Sequence, residues 1–141
     1  MSNNIIVARR KLQGALAQFL SGDDYYLKLF TNSALTPDLD MEPADFTEAA
    51  GGGYAHQVVD SSVDFTTEYA NNPPDIIMDE VTFSFTGPLT GNATVYGYYF
   101  QTQNGNYVDS AKLLDTPFTP ASGGGTLKFT PRIQAGNGTP A

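Results

Sequence analysis

The stretch ATVYGYYFQTQNGNYVDSAKL, residues 93–113, decides the fold class that this sequence predicts. Its first half, 93–102, is rich in aromatic and β-branched residues, which favour β-strands. The segment Gln103-Asn104-Gly105-Asn106 interrupts this run, and an Asn-Gly pair tolerates the positive φ of a tight hairpin turn. Residues 107–113 return as a second strand, so the whole stretch predicts an antiparallel hairpin.

Similar runs of strand-forming residues occur on both sides of this hairpin. In the segment 81–85 the alternation of residues places Val81, Phe83 and Phe85 on one face. Short strands separated by turns predict a mainly β protein, and specifically an antiparallel β-sandwich of the jelly-roll or immunoglobulin-like type with one N-terminal helix. A closed barrel is the main alternative. Further strands are predicted over 25–31, 54–59, 63–68 and 126–134, one helical turn over 43–48, and loops over 36–41 and 116–125.

An N-terminal helix is predicted over residues 3–20, because apolar side chains recur there with helical spacing. Those that share one face are Ile5, Ala8, Leu12, Ala15, Leu16 and Phe19. Ser21-Gly22 fits the end of this helix. We therefore predict an N-terminal helix or arm over 1–22, a β-sandwich domain over 23–134 and a flexible tail over 135–141.

Composition and charge exclude several classes of protein. The 141 residues include 7 Lys and Arg, 15 Asp and Glu, one His and no Cys, which gives a net charge of −8. Without cysteine the chain has no disulfide, no thiolate metal site and no cysteine nucleophile. The acidic balance disfavours binding to nucleic acid or to an anionic membrane. Neither a membrane-spanning apolar run nor a secretory signal peptide is recognisable, so we predict no membrane partner.

Few residues of this sequence lie in a pattern typical of a catalytic, metal-binding or cofactor-binding site. His56 is the one histidine, and no nucleophile elbow marks a partner for it, so we predict an exposed or interface histidine. The acidic stretch 38–42 lacks the glycine and closing glutamate of an EF-hand and predicts a solvated loop. The glycine triplets 51–53 and 123–125 match no phosphate-binding loop and predict flexible turns. No catalytic residue, cofactor or metal site is therefore predicted.

Two groups of residues are candidates for a partner interface. The first is the consecutive basic cluster Arg9, Arg10 and Lys11, for which a solvated helix face is the alternative. The second is the aromatic group Tyr96, Tyr98 and Tyr99, in which alternation puts Tyr99 on the opposite face from the other two. One face of this strand must be core, and tyrosine is enriched in contacts between subunits, so the other face is a candidate interface. A purely core role for the tyrosines is the alternative.

A recurrent pattern of short segments also resembles a known group of proteins. The segments are Leu27-Lys28-Leu29-Phe30-Thr31-Asn32, Leu35-Thr36-Pro37, Ala44-Asp45-Phe46-Thr47-Glu48-Ala49, Gly53-Tyr54-Ala55, Val81-Thr82-Phe83, Val95-Tyr96-Gly97-Tyr98-Tyr99 and 113–117. This signature is similar to that of small proteins encoded among the virion genes of tailed bacteriophages and related environmental viruses. The resemblance implies a virion structural protein, and it supplies no catalytic residues.

The function that these observations predict is a non-enzymatic one. We expect a capsid decoration or cement protein that stabilises the head lattice, with the major capsid protein or other virion proteins as partners. A homo-oligomer is expected, with a trimer as the favoured form, located in a virion assembled in the host bacterial cytoplasm. The alternative is a tail, baseplate or fibre-associated module that recognises a host surface glycan, because aromatic residues and acidic loops suit sugar binding. An enzyme such as a cell-wall hydrolase is disfavoured.

Overall fold

A computed structural model of the chain describes residues 24–38, 40–60, 65–68, 75–103 and 107–134. These residues are mainly β, and the sheets are antiparallel, as the sequence predicts. The strands are Tyr25–Phe30 (β1), Gln57–Val59 (β2), Phe65–Glu68 (β3), Asp75–Met78 (β4), Val81–Phe85 (β5), Val95–Thr102 (β6), Val108–Phe118 (β7), Gly125–Phe129 (β8) and Arg132–Gln134 (β9). The predicted helix over 1–22 and tail over 135–141 lie outside the described residues, and the assignment of 23–134 to one sandwich domain stays a prediction.

The described strands form three sheets in two compact units. One unit contains residues 24–59 and 82–129, with a four-stranded sheet of order β2-β1-β6-β7 and the pair β5-β8. The other unit, within the described residues, contains 60–81 and 130–134 and carries a three-stranded sheet of order β3-β4-β9. The four-stranded sheet is open, with β2 and β7 at its edges, so the described residues do not form the closed-barrel alternative. No helix in the described part of the chain has the length and apolar character needed to span a membrane.

The centre of the larger sheet is the pairing of β1 with β6. Leu29 pairs with Tyr98, and Phe30 pairs with Gly97. Because successive side chains of a strand point to opposite faces, Tyr98 and Tyr99 pack on opposite faces of this sheet. Both are buried, as are the β1 residues on either side of Lys28.

Aromatic rings join β5 and β8 to β6. Four rings stack one on the next, in the spatial order Tyr54, Phe83, Phe129 and Tyr98. Their successive centroids are 5.9, 5.9 and 4.4 Å apart. The interplanar angles are 15–16°, so the four rings are nearly parallel. The predicted inward face of β5 is confirmed, because Val81, Phe83 and Phe85 are all buried.

The predicted hairpin is present but extends further than expected. The turn at 104–106 lies outside the described residues, and β7 continues to Phe118, where a loop was predicted from residue 116. The continuation is possible because the register between β6 and β7 shifts twice, so that Phe118 still pairs with Val95. Such bulges let one strand contain more residues than its partner over the same length of ladder.

The prediction of a single last strand over 126–134 is wrong. Two strands, β8 and β9, belong to different sheets and are separated by Thr130 and Pro131. Proline has no N–H for a sheet ladder, and here the Pro131 carbonyl accepts a 3.0 Å hydrogen bond from Met78 N–H. Strand β4 was not predicted, because it has only four residues and directly follows Asn71-Asn72-Pro73-Pro74, a sequence that usually interrupts strands.

The glycine triplet 51–53 forms a turn, as predicted. All three glycines have positive φ, at 81°, 60° and 78°. The turn is held against the segment 86–90 by 2.8 Å hydrogen bonds from Thr86 N–H to Gly52 O and from Thr90 N–H to Ala50 O. Glycine is required here because other residues rarely adopt positive φ and because the two backbones lie in close contact.

We expect Gly97→Ala to destabilise the protein. A Cβ at this position would collide with the Lys112 carbonyl and with the Phe30 ring, and the Lys112 backbone cannot move without disturbing the β6–β7 ladder. The expected loss is about 1–3 kcal/mol in the free energy of unfolding, measured by urea titration. The matched control is Gly123→Ala, because Gly123 has nothing within 4 Å of the added atom. Equal stability of the two variants would contradict this packing.

Candidate functional site

Residue Glu48 lies where the segment after the 3₁₀ turn Pro43–Asp45 returns to β1. Glu48 forms an antiparallel bridge with Phe30. On either side of it, Thr31 N–H donates to Thr47 O and Ala49 N–H donates to Leu29 O, both at 2.9 Å. These backbone bonds hold the Glu48 side chain on the face of β1 that carries Lys28.

The Glu48 carboxylate is the centre of a polar group of side chains. Its Oε1 lies 3.3 Å from Lys28 Nζ. Its Oε2 accepts a 2.9 Å hydrogen bond from the Tyr54 hydroxyl and lies 3.2 Å from His56 Nδ1. Together with Tyr26, these residues are called the Glu48 cluster.

Tyr54 connects the cluster to the backbone of β1. Its hydroxyl donates to Glu48 and accepts a 3.1 Å hydrogen bond from Leu29 N–H. Burial raises the pKa of Tyr54 far above its ordinary value; the Leu29 hydrogen bond lowers it, and the charge of Glu48 raises it further. The hydroxyl therefore remains protonated and acts as a donor at any physiological pH.

The other side of the cluster lies at the protein surface. The His56 ring packs against the Tyr26 ring with centroids 4.6 Å apart, and Lys28 Nζ lies 5.7 Å from the Tyr26 centroid. The side chain of Lys28 is 15% exposed, whereas that of His56 is 42% exposed. Val58 pairs with Tyr26 across β1 and β2 and is 62% exposed, so an apolar residue borders the charged ones.

The arrangement supplies hydrogen-bonding groups at the protein surface. A histidine–carboxylate pair supports nucleophilic catalysis when the histidine also bonds a serine, threonine or cysteine. In the described part of the chain His56 bonds Glu48 and contacts Tyr26, and no such hydroxyl is bonded to it. The prediction that His56 is exposed is confirmed.

Other residues of the recurrent signature bond mainly to one another. Thr47 N–H donates to Asn32 Oδ1 at 2.6 Å, and Asn32 Nδ2 donates to Asp45 O at 3.2 Å. Asp45 in turn accepts a 2.9 Å bond from Glu42 N–H at the start of the 3₁₀ turn. The polar residues of the signature thus hold the segment 42–49 onto the end of β1.

The tyrosines predicted as a partner interface lie mostly in the core. Tyr98 is 5% exposed and stacks on Phe129, and Tyr99 is 2% exposed and stacks on Phe46 with centroids 4.2 Å apart. Neither side chain has surface left for a partner, because both faces of β6 are covered by other parts of the chain. Tyr96 is half-buried, and its interface role stays a prediction. The basic residues Arg9, Arg10 and Lys11 lie outside the described residues.

One carboxylate of the acidic loop has a hydrogen bond within the loop. Asp38 Oδ1 accepts a 2.9 Å hydrogen bond from Asp40 N–H, and both residues lie on an exposed segment. Within the described residues no group of three or more histidine, aspartate and glutamate side chains is placed to hold a metal ion.

The Glu48 cluster was not predicted as a site from the sequence. His56 was considered alone, because its partner Glu48 lies in a separate segment, and Lys28, which also pairs with Glu48, is distant in the chain. One local signal was present: Lys28 is the only charged residue in the apolar strand Tyr25–Phe30. A half-buried lysine in a strand requires a nearby carboxylate, but the sequence does not say which of the 15 acidic residues supplies it.

No family model matches the chain, no curated protein matches its sequence and no solved structure matches its fold.

We expect Tyr54→Phe to destabilise the protein. The change removes a donor to Glu48 and leaves Leu29 N–H without its acceptor, and a buried polar group that loses its partner costs about 1–3 kcal/mol. The free energy of unfolding from urea titration measures the loss. The matched control is Tyr107→Phe, which removes a hydroxyl from an exposed side chain and should change stability by less than about 0.5 kcal/mol. A loss of equal size in both variants would contradict the role assigned to Tyr54.

Alkaline pH should destabilise the protein partly through Tyr99. Burial, and then the charge of Glu48, raise the pKa of Tyr99 above its ordinary value near 10. Because the folded state holds the proton more tightly than the unfolded state, this contribution is complete below about pH 10 and is lost as the pH rises further. Tyr99→Phe should therefore lose less stability than the wild type as the pH rises above about 10, measured by thermal unfolding, whereas the two proteins should change alike below that pH. Parallel losses in the two proteins would contradict the prediction.

Proposed function

We propose that this chain is a non-enzymatic structural protein of a bacteriophage virion, and specifically a decoration protein that cements the head lattice. The observation that carries the proposal is the packing of the signature residues. Their polar side chains bond to one another and to the backbone of β1 instead of converging on a reactive centre. This packing supports a structural role for the signature, and the resemblance of the signature to virion proteins of tailed bacteriophages supports the virion as its setting.

The finer fold assignment is part of this proposal. We assign the larger unit to the sandwich architecture, of jelly-roll or immunoglobulin-like type. Support comes from Phe83 and Phe129, on the β5-β8 pair, because their stack ends on Tyr98 of the four-stranded sheet. Side chains that interdigitate between two sheets form the core of a sandwich.

Contacts with other virion proteins require exposed apolar surface. The exposed large apolar residues of the described chain are Val58, Tyr107 and Leu113. Val58 lies on the edge strand β2 and Leu113 on the edge strand β7, where neighbouring chains have access. Contacts of this kind are individually weak, and a lattice makes them effective by repeating them many times. A homo-oligomer, with a trimer as the favoured form, and the major capsid protein are the proposed partners.

Quantitative mass spectrometry of purified virions tests this function. We expect the protein at a fixed ratio to the major capsid protein, such as one trimer at each threefold position of the lattice. The ratio should persist after density-gradient purification, whereas loosely adsorbed proteins are lost. Absence of the protein from purified particles would overturn the virion proposal altogether.

A second candidate function is a binding module on the tail, baseplate or a fibre that recognises a host surface glycan. The Glu48 cluster favours it, because His56 and Lys28 combine hydrogen-bonding groups with the Tyr26 ring at the protein surface. The same mass-spectrometric measurement separates the two functions. A few copies in each particle, in a fixed ratio to tail proteins, would favour the binding module over the decoration protein.

A further inference from the structure

We propose that the surface formed by Tyr26, Lys28, Glu48, His56 and Val58 binds a neutral carbohydrate through two adjacent hydroxyl groups. This surface is called the sugar surface below. The inference deepens the second candidate function and rests on it for its biological role, but binding itself is a property of the isolated chain.

The polar part of the sugar surface has one donor and one acceptor side by side. An ammonium group has three N–H donors, and each carboxylate oxygen accepts about two hydrogen bonds. Lys28 Nζ directs one donor towards Glu48 Oε1, which leaves donors on Lys28 and an accepting position on Oε1. Glu48 Oε2 is already occupied by Tyr54 and His56. A vicinal diol matches this pair, because one hydroxyl can accept from Lys28 while its neighbour donates to Glu48.

The apolar part of the sugar surface lies next to this pair. Tyr26 precedes Lys28 by two residues and therefore lies on the same face of β1, and its cross-strand partner Val58 is 62% exposed. Sugar rings have C–H faces that pack on aromatic and aliphatic side chains, and their hydroxyls bond the polar groups at the border. The His56 ring lies at 54° to the Tyr26 ring, with centroids 4.6 Å apart, so it forms a tilted wall beside that ring.

Charge selects a neutral sugar over an acidic one. The positive charge of Lys28 is paired with Glu48, so the sugar surface carries no excess positive charge for a carboxylate or sulfate. The net charge of −8 further repels acidic polysaccharides. An exposed surface with few binding groups binds one sugar weakly, with a Kd in the millimolar range. The few copies expected of a tail-associated module can engage several sugars at once, which raises the overall avidity above the affinity of one copy.

The test is an NMR titration of the ¹⁵N-labelled full chain with methyl α-mannoside, methyl β-galactoside and N-acetylglucosamine. We expect at least one of these sugars to shift amide signals of residues 26–28, 47–49 and 56–58 in a saturable manner. Lys28→Met should weaken the binding at least about fivefold, because it removes the donors and retains the length of the side chain. Lys112→Met is the matched control, because Lys112 is exposed and is not part of the sugar surface, and it should bind as the wild type does.

A second variant distinguishes loss of sugar binding from loss of folding. Val58→Thr keeps the β-branched shape on an exposed edge position outside the hydrogen-bond network, so the fold should remain intact, and its spectrum verifies this. It should weaken sugar binding at least about twofold by removing apolar contact. No saturable shift with any of the three sugars, or equal affinity in all variants, would overturn the inference. Either result would leave the copy number in virions, and with it the decoration function, unaffected.

Discussion

The packing of the Phe30 ring on Gly97 is the contact on which the larger sheet depends. A side chain at residue 97 would prevent it, and Phe30 could then not remain opposite residue 97 in the β1–β6 ladder. This register places Tyr98 on the face that meets Phe129, and Tyr99 on the face that meets Phe46. A slip of one residue would exchange the two faces and leave both rings without their stacking partners. The absence of a Cβ at one position thus determines which layer each aromatic residue joins.

A half-buried carboxylate determines how the outer segment is attached. Burying a charge is unfavourable unless it is paired and hydrogen-bonded, and Glu48 meets this requirement through Lys28, Tyr54 and His56. These partners come from β1 and from the chain that leads into β2, so satisfying one carboxylate brings three parts of the chain together. The chemistry of the proposed sugar surface therefore arises from groups that the fold already needs. A ligand would use only the hydrogen-bonding positions that remain after these structural contacts are made.

Local sequence patterns predicted a substantial part of this fold. Strands β1 and β5 were placed correctly, because strand-forming residues identify the first and strict alternation the second. The end of β7 was missed, because its last residues pair through bulges and carry a proline that resembles a loop signal. Alternation left the burial of both Tyr98 and Tyr99 open, since it shows that two residues face opposite ways but not that each face is covered. The Glu48 cluster depends on tertiary contacts between Lys28, Glu48 and His56, and no local pattern encodes them.

The break at Thr130 and Pro131 has a consequence for the order of folding. After this break the chain continues as β9 in the sheet of β3 and β4, where Gln134 pairs with Asp75 and Ile133 with Ile76. Strands β3 and β4 leave the ribosome before β9 and can pair with each other, whereas the third strand of their sheet follows only after residues 82–129. Pairing between such distant residues closes a long loop and is intrinsically slow. One side of β4 is therefore an open edge during synthesis, and a chain released before residue 132 would keep that edge available for pairing with other chains.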